Sequence, residues 1–251
     1  MKNEIRKTEN EILARVLTYC LLPIVYCLFL SSCKDKKDNY TIDYLAEYAP
    51  IDSGHYVIYD VDSITYRYAN PVYTRDTVHY QLKEEIGDTT YDNLNQLCYQ
   101  LDVYRRADSN SAWSFDRRWL VKRTPTAFEK TELDLKFVKL VFPPQYGKSW
   151  NGNAYLPTTT PYQLFQNWDY KYTEVNYPRA YGNFSFDSTL VVSEINDSNL
   201  LEKILRKEVY ALHTGMIYQE WEHLEKTRVT TDWQTGPESG FRIRMKIAGH
   251  N

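Results

Sequence analysis

From about residue 56 onward the chain alternates apolar and polar side chains with a period of two, and nothing else in the sequence restricts its fold as strongly. In Phe241-Arg242-Ile243-Arg244-Met245-Lys246-Ile247 the odd positions are apolar and the even ones cationic. Val78–Leu82, Leu97–Val103 and Trp113–Val121 repeat the period. Successive side chains of a strand point to opposite faces, so the pattern describes a sheet with one face buried and one wet. Antiparallel sheets tolerate a wet face, and turn signals at roughly 8–12-residue spacing leave no room for crossover helices. The expected fold is all-β: a curved antiparallel meander forming a half-barrel or partly closed barrel, with a two-sheet β-sandwich as the alternative.

Three places depart from the regular period. In "YVIYDVDSITYRY" the apolar set passes from Val57, Tyr59 and Val61 to Ile64, Tyr66 and Tyr68, which predicts a bulge or bend near Asp62. In "NDSNLLEKILRKEV" Leu200, Leu201, Ile204 and Leu205 share a helical face behind Asp197 or Ser198 as cap, while a strand is preferred from Lys207 to Leu212, followed by a turn at Gly215. The stretch from Trp150 to Pro178 has no sustained period and is read as a long loop, around 150–178, within a single β-rich domain of residues 48–251.

Upstream of that domain the chemistry is different. Val16 to Leu30 carry no charge, and as a helix they would span about 22 Å, short of the ~30 Å of a bilayer core. That is the length of a signal-peptide h-region, behind a weakly basic start in which Lys2, Arg6, Lys7 and Arg15 outweigh three glutamates. The stretch closes on Leu30-Ser31-Ser32-Cys33, which resembles the lipobox of bacterial lipoproteins. The resemblance implies removal of residues 1–32, lipidation of Cys33, and residues 33–47 as a flexible lipidated tether. Two or three acyl chains hold a protein firmly where one does not.

The charged run Lys34-Asp35-Lys36-Lys37-Asp38 is similar to the segment that directs lipoproteins of Bacteroidota to the outer face of the outer membrane. An outer-membrane position follows, with surface exposure favoured over a periplasmic-facing one. Asp62-Ser63-Ile64, Asp76-Thr77-Val78, Asp88-Thr89-Thr90 and Asp187-Ser188-Thr189 resemble the acceptor triplets of Bacteroidota O-glycosylation, which marks Ser63, Thr77, Thr89 and Ser188 as candidate sugar carriers. Asp followed by Ser or Thr also makes ordinary turns at strand ends. "YAPIDSGHYVIYDVDSITY", "FVKLVFPPQYGKSWNGNAY" and "EVYALHTGMIYQEW" are together similar to a family of Bacteroidota outer-membrane lipoproteins, carried here by Tyr48, Pro50, Gly54, Tyr56 and Tyr59; the resemblance brings no activity with it.

Without residues 1–32, which carry a net +1, the formal charge moves from −3 to −4. No basic stripe offers itself to phosphates, so nucleic acid is not expected as a partner. Cys98 is left without a cysteine to pair with, because Cys20 and Cys27 leave with the signal and Cys33 is alkylated. "YGKSW" lacks the glycine five residues before Gly147 that a phosphate loop needs. The five histidines are scattered, so no metal or other cofactor is expected. Asp60 with Asp62 and Glu220 with Glu222 are the carboxylate pairs that share a strand face, and both are read as lying on wet faces, where they solvate. No catalytic residue is assigned.

The most unusual feature is aromatic: 23 tyrosines, six tryptophans and nine phenylalanines. Curved sheets bury such side chains readily, but Trp150, Tyr155, Trp168 and Tyr170 fall in the loop-like stretch and are the candidate ligand contacts. The expectation is a non-enzymatic, lipid-anchored accessory or binding component of the envelope. Its partners are the membrane and an envelope protein complex or glycan. A surface glycan-binding lipoprotein is the first alternative and a hydrolase the second.

Overall fold

Twelve strands follow one another among the described residues, and every pair that shares a ladder is antiparallel. In a computed structural model, residues 45–69, 72–157, 162–227, 232–233 and 236–251 are described. The leader, Cys33 and most of the tether lie outside them. The strands are β1 (Tyr56–Ala69), β2 (Val72–Tyr91), β3 (Leu97–Arg106), β4 (Ser114–Arg123), β5 (Ala127–Glu132), β6 (Leu135–Val141), β7 (Ser149–Trp150), β8 (Tyr170–Tyr181), β9 (Phe184–Ser198), β10 (Glu202–Ala211), β11 (Gly215–Glu225) and β12 (Ser239–His250). Their order in space is β6-β5-β4-β3-β2-β1-β12-β11-β10-β9-β8-β7, one sheet in which the last strand returns to pair with the first. The partly closed barrel of the expected fold is therefore the form adopted, and the sandwich is not.

The sheet curls until its two edges face each other, leaving one seam between β6 and β7. The seam carries no ladder, yet it is stitched. The Val138 amide donates to the Gly152 carbonyl at 2.8 Å and the Trp150 indole to the Val138 carbonyl at 2.8 Å. The Tyr172 hydroxyl, entering from β8, accepts from the Val141 amide at 3.0 Å and donates to its carbonyl at 2.8 Å. An edge strand with unpaired backbone groups is a liability, and here side chains satisfy them.

Directly paired residues share a face, so the ladders identify the interior. Val192, Glu208, Gln219, Met245, Val61 and Tyr80 form one continuous inward row across six strands. One apolar cluster fills the interior around Leu101, Val121, Leu140, Tyr170, Tyr172 and Tyr210, and a second gathers Val57, Tyr59, Val61, Ile217 and Met245.

Three sequence expectations are corrected. The β1–β2 ladder runs unbroken through Asp62; the irregularity in β1 lies at Ile58/Tyr59, where β12 inserts Ala248. The apolar set changes faces because the cover changes. Ile64 and Tyr66 point outward with Leu224, Glu222 and Arg242, and on that face Arg242 donates to the carbonyl of Trp233, which follows β11. No helix forms at 197–206: the Asn199 side chain accepts from the amides of Leu201 and Glu202 at 2.8 and 2.9 Å, an Asx turn that closes the β9–β10 hairpin. Leu200, 70% exposed, sits at its tip. The loop read at 150–178 ends at Asp169, since β8 begins at Tyr170. The alternation of β8 is hidden by three register shifts against β9 between Tyr172 and Arg179.

Candidate functional site

A charged residue inside an apolar run must either leave the sheet face or find a partner within. "FVKLVF" and "LVVSEIN" each contain one, Lys139 and Glu194. Each is the unpaired extra residue of a β-bulge, Lys139 between Val138 and Leu140 opposite β5, and Glu194 between Ser193 and Ile195 opposite β10. A bulge turns its extra side chain toward the face its neighbour occupies. Both therefore point inward, and they meet at 2.5 Å.

Around that pair a connected network forms. Lys139 also contacts Glu208 at 2.6 Å, and Arg206 lies 3.1 Å from Glu194, 3.7 Å from Glu208 and 3.8 Å from Glu132. Lys130 completes it, 2.9 Å from Glu84 and 3.2 Å from Glu132. Lys139, Glu194, Arg206 and Glu208 are all at most 3% exposed. Glu208 further accepts from the Tyr210 hydroxyl at 2.6 Å and the Gln219 amide at 2.8 Å.

Burial alone would raise the Glu208 carboxyl, but Lys139 and Arg206 outweigh it and hold it down at about 2. Burial and the neighbouring Glu208 push Glu194 the other way, upward. Burial likewise drives the hydroxyls of Tyr59, Tyr170 and Tyr210 well above the usual tyrosine range.

Beside the network lies a cavity of about 60 Å³, partly open to solvent. Val57, Ile86, Leu101, Val121 and Phe128 form its apolar walls, Glu84, Lys130, Lys139, Glu208, Tyr59 and Tyr210 its polar end, and Pro50, His55 and Thr214 part of its rim. The His55 Nε2 donates to the Thr214 carbonyl at 3.0 Å, and the Tyr59 hydroxyl to that of Met216 at 2.9 Å. Apolar walls with a few convergent polar groups are what small-molecule sites have in common.

No protein-family model matches the chain, and no curated protein does either. Its chemistry rests on this geometry.

The four candidate aromatics do not form one surface. Tyr170 is fully buried in the barrel and Trp168 is 4% exposed. Trp150 lies in the seam, 4.6 Å from the Tyr172 ring between centroids. Tyr155 alone is largely exposed, its hydroxyl 3.2 Å from Glu129. As ligand contacts Trp168 and Tyr170 are thus corrected to core, because the strand that carries Tyr170 is real and its alternate residues face inward. Of the candidate sugar carriers, Thr77 and Thr89 are exposed on β2. Ser63 is half-buried, and Ser188 is held between the Tyr48 hydroxyl at 2.5 Å and Asn176 at 2.8 Å.

The carboxylate pairs divide too. Asp60 and Asp62 are exposed on the outer face as expected. Glu222, read as wet, is buried on that face under the β11–β12 connection, paired with Arg242 and with Lys203 at 2.7 Å. His223 lies 3.1 Å from Glu202 and 3.9 Å from Glu225, a three-donor group brought together from two strands among the described residues. Cys98 is packed, 2% exposed, and burial pushes its thiol up.

Sequence reading missed the interior network altogether. The usable signal was a lone charge inside an apolar run, at Lys139 and at Glu194; period-two patterning had assigned such charges to the wet face.

Proposed function

We propose that the protein is a lipid-anchored outer-membrane lipoprotein, exposed at the cell surface and acting as a non-enzymatic binding component of the envelope, with the barrel cavity as its binding site. The observation that carries the binding role is the cavity's position against groups whose protonation is locked. Glu208 is held at about 2 and the Tyr59 and Tyr210 hydroxyls well above their usual range. Such groups present fixed charge and fixed hydrogen bonds; proton shuttling needs a pKa near the working pH. The Leu30-Ser31-Ser32-Cys33 resemblance supports the anchor, and the run after it supports the address.

Intact mass of the native protein from outer membranes tests the anchor. The expected species begins at Cys33 and carries diacylglyceryl and acyl mass, and Cys33→Ser leaves the membrane fraction. A bare residue 33, or a retained leader, overturns it. Protease treatment of whole cells tests surface exposure, and co-purification of a stable partner would define an envelope complex.

A second reading, glycan binding, is favoured by the outer face. Asp60, Asp62, His79, Gln81, Tyr218 and Arg244 line an open groove of about 600 Å³. Donors and acceptors alternate across it, and Tyr218 stacks on Tyr181 with centroids 5.4 Å apart. Sugar hydroxyls and ring faces suit such a surface. Affinity electrophoresis against polysaccharides tests it, with retardation lost in Tyr218→Ala. Thr77 and Thr89, both exposed, are the residues where O-linked sugar would be sought by glycopeptide mass analysis.

A further inference from the structure

We propose that the barrel cavity takes a small organic cation, an ammonium group on a short apolar body, in exchange for one proton. The proposal rests on the cavity being the binding site and adds the class of ligand. Among the described residues the interior network joins four carboxylates, Glu84, Glu132, Glu194 and Glu208, to three cations, Lys130, Lys139 and Arg206. A buried set with one unbalanced negative charge is costly, so it must hold a counter-charge. A proton can serve, and Glu194, facing Lys139 of β6, Arg206 and Glu208 of β10 and Tyr170 of β8, is the carboxyl that burial drives toward the protonated form. Four of the seven network residues line the cavity, the carboxylates Glu84 and Glu208 and, already paired with them, Lys130 and Lys139. An ammonium entering there can hydrogen-bond a carboxylate and balance the set without the proton. Its apolar body then lies along Ile86, Leu101 and Val121.

n-Butylamine, 1-butanol and butyrate are the probes, followed on the full domain by methyl NMR of Leu101 and Met216 and by titration calorimetry in two buffers of different ionisation heat. The expected result is butylammonium binding about tenfold or more tighter than butanol. Its binding releases up to one proton and weakens as the pH is lowered, because protons compete for the same charge. Glu84→Gln balances the network at three against three, and the preference for amine over alcohol collapses toward parity. Alcohol or butyrate binding as well as the amine overturns the cation assignment and leaves the cavity a binding site. Amine binding with neither proton release nor acid weakening overturns the exchange. Failure of all three probes to shift the cavity methyls overturns the binding reading as well. The wild-type measurements stand even if Glu84→Gln fails to fold.

Discussion

Lys139 and Glu194, 2.5 Å apart inside the barrel, are both bulge residues, on strands that are not neighbours in the sheet. Lys139 lies on the seam strand β6, so its contacts with β9 and β10 tie the free edge across the interior to the far wall. A ladder could not do this, because β6 has no strand beyond it. The two irregularities thus do the joining that the missing hydrogen bonds of the seam do not.

Removing one partner of a buried pair leaves the others uncompensated. Lys139→Met is expected to cost about 3–5 kcal/mol, read as a fall in the urea midpoint. Adding Glu208→Gln to that variant recovers part of the loss, since one stranded carboxylate is gone. A Lys139→Met loss below about 1 kcal/mol would show that the pair behaves as if exposed.

Acid should destabilise the fold through Glu208. Its folded pKa of about 2 lies below its ordinary 4.5. Its contribution is therefore complete above 4.5 and lost as the pH falls toward 2, on the order of 3 kcal/mol. Glu194 is shifted upward and acts in the opposite sense, stabilising at low pH and less so as the pH rises through its folded value. Denaturation midpoints between pH 2 and 7 test this, and Glu208→Gln should flatten the acid limb.

Tyr172→Phe removes only an oxygen, but it strands both backbone groups of Val141 on the seam. The expected cost is about 1–3 kcal/mol, with the Val141 amide exchanging faster with deuterium. An unchanged exchange rate at Val141 would mean that the seam is held otherwise.

Gly152→Ala drives a methyl into the Tyr170 ring carbons, where nothing can yield without moving the core. Gly54→Ala meets nothing within 4 Å and carries only the strain of φ +84. Thermal unfolding should show a loss for the first well beyond the ~1 kcal/mol typical of the second.

Cys98, 2% exposed and with its thiol pushed up by burial, should resist a thiol reagent in the folded protein and react on denaturation. Rapid native labelling would contradict the packed strand.

Alternation in segments such as Phe241–Ile247 was enough to specify strands and an antiparallel meander, because period two is a property of the local chain and survives any arrangement of neighbours. The turn expected at Gly215 likewise lies between β10 and β11, with Gly215 opening β11. Local reading failed where a residue's surroundings come from elsewhere. Leu200 and Leu201 look like a helix face until Asn199 turns the chain between two strands, and Glu222 looks solvated until the β11–β12 connection covers it. Tyr170 resembled a ligand contact because the register shifts of β8 blurred its alternation, and Trp168 because the packing that buries it comes from residues outside its own segment.

The amino-acid order alone settles that the chain is built of strands running in succession, except at β8 and the start of β10, since backbone geometry and side-chain alternation act over a few residues. Which of two faces is sealed at each point, where charges are paired instead of wet, and how a seam without a ladder stays shut depend on contacts such as those of β6 with the β9–β10 hairpin, which lies far from it along the chain. Burial and Coulomb attraction act through space, so those features exist only once the sheet has curled.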